Sequence, residues 1–184
     1  ASSTNLFVEE ALKKKASLAI VNKLKKKLDY KKQIKVRDSL KFLTKTSSIF
    51  RENIDAKIIA ITGSCGKTTL KELLGKTLKK ISKTTISPKS YNNKYGVPLS
   101  LFNLSKNDNY GVLEVGMDKK GEIDYLSKII KPDISVITNI NYAHAKNFKN
   151  IKDIALAKSE IISNTKPNGF VILNADDNFF RLHQ

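Results

Sequence analysis

The chain has 184 residues, 40% of them hydrophobic, enough to bury a sizeable core and to exclude a disordered polymer. Its net charge of +17 would suit a nucleic-acid partner, yet only Arg37, Arg51 and Arg181 of the 34 basic residues carry the planar fork that base readout favours; the lysines run through every segment, so solvated surface and no nucleic acid are expected. One cysteine excludes an internal disulfide, and no apolar run nears the ~20 residues of a spanning helix, so a soluble, cytoplasmic chain without a membrane span is expected.

In chain order, "NLFVEEALKKKASLAIVN" predicts a short amphipathic helix and a strand around Leu18 to Val21. "YKKQIKV" predicts a second strand, and Asp38 caps a helix carrying Leu40, Leu43, Ile49 and Phe50. From Ala56 the rhythm becomes regular. Strands are expected at "AKIIAIT", "KTTI", "YGVLEVG", "DISVIT" and "GFVILN", helices at "GKTTLKELLGKTLKKI", "EIDYLSKII" and "IKDIALAKSEII", and a loop at "SYNNKYGVP". Alternation of this kind, with strands apolar on both faces, points to an α/β fold: a mostly parallel sheet flanked by helices. The change of rhythm divides the chain into a small α/β piece, 1–54, and a larger domain, 55–184. Because the chain opens on Ala1 and closes just past a strand, it is expected to be a fragment of a longer protein.

The stretch "ITGSCGKTT" lies between a strand and a helix, the context that a phosphate loop requires. Ile61 stands where the usual pattern has its first glycine, so a shorter loop beginning at Gly63 is expected. Gly63 and Gly66 let backbone N–H groups turn inward, Lys67 adds a cation, and Thr68 a hydroxyl suited to Mg²⁺. Cys65 has no activating base near it in sequence and is not expected to be a nucleophile. Glu114 stands near the end of an apolar strand, either facing water from an edge or buried against a metal. Lys158 falls on the same helical face as Ile151, Ile154, Ala155, Ile161 and Ile162, so it must snorkel, pair or be modified. His144, after a strand, is open to either a structural or a phosphate-side role.

Five segments in order, "ITGSCGKTT", "YNNKYGVPLSLFNL", "VLEVGMDKKGEIDYLSKIIKPDISVITNINYAH", "IALAKSEII" and "VILNADD", resemble the Mur ligases, with wording nearest the D-alanyl-D-alanine-adding branch. The resemblance implies that 1–54 is part of an N-terminal domain holding a UDP-sugar substrate. It implies that 55–184 is an incomplete P-loop central domain binding ATP, with a C-terminal domain beyond these residues. It further implies that Gly63, Ser64, Cys65, Gly66, Lys67, Thr68 and Thr69 wrap the ATP phosphates. Lys67, His144 and Lys158 would be the catalytic set, and Thr68, Glu114, His144 and Lys158 would hold two Mg²⁺, with Lys158 carbamylated. Asn92, Asn93 and Asn139 would lie near the nucleotide and substrate. The implied substrates are a UDP-N-acetylmuramoyl tripeptide and D-alanyl-D-alanine, joined by a monomer through an acyl phosphate in peptidoglycan precursor synthesis. Alternatives are another Mur-type or folylpolyglutamate-synthetase-like amino-acid ligase, or a nucleic-acid-binding P-loop NTPase. The isolated piece is expected to be inactive.

Overall fold

The computed structural model describes residues 7–142 and 147–182, which divide into two compact units at Lys45/Thr46. In the first, helix α1 (Val8–Lys13) packs beside a parallel pair, β1 (Ala19–Val21) and β2 (Gln33–Lys35). Val8, Ala19 and Val21 form its small core, with Leu12, Leu24 and Leu28 against them. The strand expected across "YKKQIKV" begins late, because Asp29 accepts a hydrogen bond from the Lys31 amide and starts a 3-10 turn over Tyr30–Lys32. Gln33, nearly buried, uses its amide to hold the Lys25, Leu28 and Asp29 carbonyls. Asp38 caps α2 (Ser39–Glu52) as expected, accepting from the amides of Leu40 and Lys41.

The second unit carries the regular alternation: β3 (Lys57–Thr62), α3 (Lys67–Lys79), β4 (Thr84–Ile86), α4 (Gly96–Leu101), β5 (Tyr110–Glu114), α5 (Glu122–Ile130), β6 (Ile134–Ile137), α6 (Ile151–Ser163) and β7 (Phe170–Leu173). Among the described residues five strands form one sheet in the order β4-β5-β3-β6-β7, and every pairing is parallel. The period-2 alternation of β3 gives Ile58 and Ala60 to the larger core on one face. Ile59 and Ile61 pack on the other face against Leu70, Leu74 and Leu78 of α3. The expected loop at "SYNNKYGVP" is instead partly helical. Asn93 Oδ1 accepts from the amides of Tyr95 and Gly96, which starts α4, and Pro98 falls in the first turn, where its missing N–H costs nothing. No helix among the described residues is long and apolar enough to cross a membrane.

At the N-terminal ends of the strands, away from the loops that follow them, Arg51 is buried at 4% exposure. Its guanidinium donates to the carbonyls of Ile130, Ile54 and Lys131 and to Asp133 Oδ2. Asp133 also accepts the Ile58 amide and pairs with Lys166. Arg51→Met strands these acceptors, so urea denaturation should show a loss of about 3 kcal/mol.

Candidate active site

β3 continues through Ile61, where the usual phosphate-loop pattern has its first glycine, and ends at Thr62. Ile61 is fully buried and lies in register with Glu114, so the turn begins at Gly63, whose φ is +147°. A Cβ on Gly63 would stand 1.9 Å from Thr138 Oγ1, which leaves glycine as the residue that fits. Gly66, at φ +79°, opens α3.

The segment after β6 grips the loop from the side. Ser64 N donates to the Asn139 carbonyl at 2.9 Å, and Ser64 Oγ exchanges two 2.9 Å bonds with the Asn141 backbone. Cys65 N donates to Asn139 Oδ1 at 3.0 Å, while Thr138 Oγ1 and Asn139 Nδ2 donate to the Cys65 carbonyl. Asn139 therefore shapes the loop backbone. Thr138 and Asn141 were not expected from sequence; the available signal was their place at the C-terminal end of a strand adjoining β3, where ligands of such folds gather.

Lys67 Nζ donates to the Gly63 and Ser64 carbonyls at 2.7 and 3.3 Å, which holds its charge at the mouth of the turn. Thr68, exposed and in the first turn of α3 beside Thr69, donates its hydroxyl to Glu114 Oε2 at 2.8 Å. Glu114 Oε1 accepts from Asn92 Nδ2, also at 2.8 Å. The water-facing alternative for Glu114 is overturned, since β5 lies between β4 and β3 and the residue is 1% exposed. Alternation along β5 sets its side chain on the α3 face with Val112. Asn92 is seated by the Gly116 amide donating to its carbonyl, and a Cβ at Gly116 would come within 2.9 Å of the Asn92 carboxamide carbon. Asn93, by contrast, commits its Oδ1 to the start of α4.

Snorkelling of Lys158 is also overturned: the residue is 2% exposed, on an α6 whose first turn is capped by Asn150. Burial, reinforced by the positive charge of Lys67 and opposed by Cys65, lowers its pKa to about 7. Burial thus favours the neutral amine, the form that reacts with electrophiles. Lys67, Glu114 and Lys158 thus gather at the C-terminal rim of the sheet: Glu114 bonds the residue next to Lys67, and Lys158 feels the charge of Lys67. His144 lies outside the described residues.

Among the described residues no three His, Cys, Asp or Glu side chains converge on a metal position. A magnesium ion nevertheless suits what is there, because it takes few protein ligands and completes its shell with water and phosphate. Glu114 is a buried carboxylate whose side-chain hydrogen bonds come from the neutral donors Thr68 and Asn92, and no ion pair reaches it among the described residues. Buried negative charge held this way calls for a cation.

Residues 61–184 match the Mur ligase middle domain. The chain is similar, at 41% identity over 177 residues, to a UDP-N-acetylmuramoyl-tripeptide-D-alanyl-D-alanine ligase of Buchnera aphidicola, covering 96% of this chain and 38% of the relative. Among solved structures it resembles MurF from Acinetobacter baumannii, with TM-score 0.84, 39% identity and coverage of 94% and 38% of the two chains. It also resembles the MurF ligase of Thermotoga maritima in complex with ADP, with TM-score 0.83, 32% identity and coverage of 96% and 41%. The chain spans about two fifths of the length of these relatives.

Proposed function

Because this chain belongs to the Mur ligase family, we propose that it is the ATP-handling part of a ligase that joins D-alanyl-D-alanine to a UDP-N-acetylmuramoyl tripeptide, in peptidoglycan precursor synthesis. The names of its relatives and the ADP bound to one of them support the substrates. The observation that carries the chemistry is the chain of contacts Thr68 to Glu114 to Asn92, beside Lys67 and a buried, readily deprotonated Lys158. In this reading 1–54 is part of the domain that holds the UDP-linked substrate, and 55–184 is the incomplete central domain. The single cysteine fits a cytoplasmic setting.

Gly63 to Thr69 wrap the triphosphate, with the amides at the N-terminus of α3 facing it while those of Ser64 and Cys65 hold the turn to Asn139, and Lys67 neutralises the β and γ groups. Thr68 and Glu114 would hold one Mg²⁺, and Lys158, once carbamylated, with His144, a second. Bound there, the ions supply charge neutralisation at the phosphates. The tripeptide carboxylate attacks the γ-phosphorus, the bond to the bridging oxygen breaks, and ADP leaves an acyl phosphate. The dipeptide amine then forms the amide bond as phosphate departs, its proton passing to solvent. Positioning and electrostatics carry such a reaction.

The decisive assay uses the complete protein encoded by the reading frame that carries this chain. Phosphate release from ATP should require both the UDP-muramoyl tripeptide and D-alanyl-D-alanine. Release driven by DNA or RNA, or by a single amino acid in place of the dipeptide, would overturn the assignment.

A further inference from the structure

We infer that Lys71 is a positioning residue that clamps the Asn92 loop onto the phosphate-loop helix and so keeps Glu114 aimed at Thr68. The inference rests on the ligase reading for its effect on turnover, but not for its geometry.

Lys71 is fully buried, a rare state for a lysine. It sits on α3 four residues after Lys67 and four before Gly75. Gly75 brings α3 close against β4, since a Cβ there would stand 2.5 Å from the Ile86 side chain. With the helix this near, the Lys71 stem runs past the end of β4, and its amine donates to the backbone carbonyl of Lys89 in the following loop. Glu72 Oε1, 3.3 Å away, balances the charge.

Lys89 has φ +47°, in the left-handed region that a lysine rarely enters. It is exposed, so no packing of its own side chain requires that conformation. The carbonyl that Lys71 captures is the contact that rewards it. Three residues on, Asn92 reaches Glu114, and Glu114 reaches Thr68, which lies one helical turn before Lys71 on the same helix. The contacts therefore close a ring: α3, Glu114, the Asn92 loop, and α3 again. Ser87 at the start of the loop is bonded to Val112 and Glu114 of β5, and beyond Lys89 the loop meets the rim through Asn92, by its carboxamide on Glu114 and its carbonyl on the Gly116 amide.

The test uses the complete protein and two readouts. The first is amide exchange of Gly116, which donates to the Asn92 carbonyl, referenced to Val115, which donates to the Ile61 carbonyl within the sheet. Lys71→Met should speed Gly116 exchange about tenfold while the Val115 rate changes only with global stability. The second is turnover: kcat should fall about tenfold and the Mg²⁺ concentration for half-maximal rate should rise about tenfold, with KM for ATP within threefold of wild type. Lys89→Pro, made from the solvent side, locks φ near −65° and should reproduce both effects, whereas Lys89→Gly keeps the left-handed turn and should match wild type. If Lys71→Met does not fold, the Lys89 pair decides alone. Wild-type exchange and Mg²⁺ dependence in Lys89→Pro, or identical behaviour of the Pro and Gly variants, overturns the inference. A wild-type protein that does not ligate sinks the ligase reading while the exchange measurement still tests the clamp.

Discussion

Lys158→Met is expected to lower turnover about 10³-fold, or about 4 kcal/mol of transition-state stabilisation, while the protein stays folded. The reason is that the wild-type amine is 2% exposed and its pKa is lowered to about 7, first by burial and then by Lys67. In the proposed carbamylation the neutral amine would attack CO₂, forming a nitrogen-carbon bond as one proton leaves to solvent, and the side chain would become a carboxylate-like anion able to face magnesium. Methionine fills the space and can do none of this. Depleting CO₂ should slow the wild-type enzyme, bicarbonate should restore it, and neither should alter the variant. Turnover of Lys158→Met within tenfold of wild type would remove Lys158 from the machinery.

The same lysine sets a pH dependence of stability in CO₂-free buffer. Below about pH 7 the amine is protonated in both folded and unfolded chains, and the cost of burying the charge is present in full. Between about 7 and the ordinary lysine value of 10.5 the unfolded chain still holds a proton that the folded chain has lost, so stability rises with pH across that window. Above it no cost remains. Denaturant titrations should show this rise in the wild type and its loss in Lys158→Met.

Glu114→Gln should separate rate from stability. The carboxylate is 1% exposed and meets the neutral donors Thr68 and Asn92, so its charge is a burden in the metal-free protein. Glutamine keeps the shape: its oxygen can accept from Asn92 and its amide can donate to the Thr68 hydroxyl. Removing the charge should raise stability by roughly 1 kcal/mol without metal and lower turnover by about 10²-fold or more, with half-maximal Mg²⁺ displaced upward. A variant less stable than wild type yet fully active would mean that Glu114 is a structural hydrogen-bonding residue and not a metal ligand.

The parts of the site that are local in sequence were legible before any coordinates. A strand, two glycines, Lys67 and Thr68 within a few residues have the chemistry that a phosphate loop requires, and the 3.6 period puts Lys158 on the apolar face of α6. Periodicity did not say whether that lysine snorkels; packing of α6 against the core did, by leaving 2% of it exposed. The α4 turn went unread because its start depends on one carboxamide, that of Asn93, folding back on the next two amides. Lys71 was hidden among many lysines, since nothing in its neighbours marks it as buried.

What this chain's residues decide alone is therefore the succession of strands and helices, the flexible glycine turn, and the residue types that can meet phosphate. What only the tertiary structure decides is which of them meet. Thr68 and Glu114 are 46 residues apart, Asn92 and Glu114 are 22 apart, and Cys65 and Asn139 are 74 apart. They come together because the sheet runs β4-β5-β3-β6-β7, which sets the ends of β5 and β6 on either side of the loop after β3. Strand order reflects how helices cover both faces of the sheet, and that is a property of packing between distant segments rather than of any local pattern.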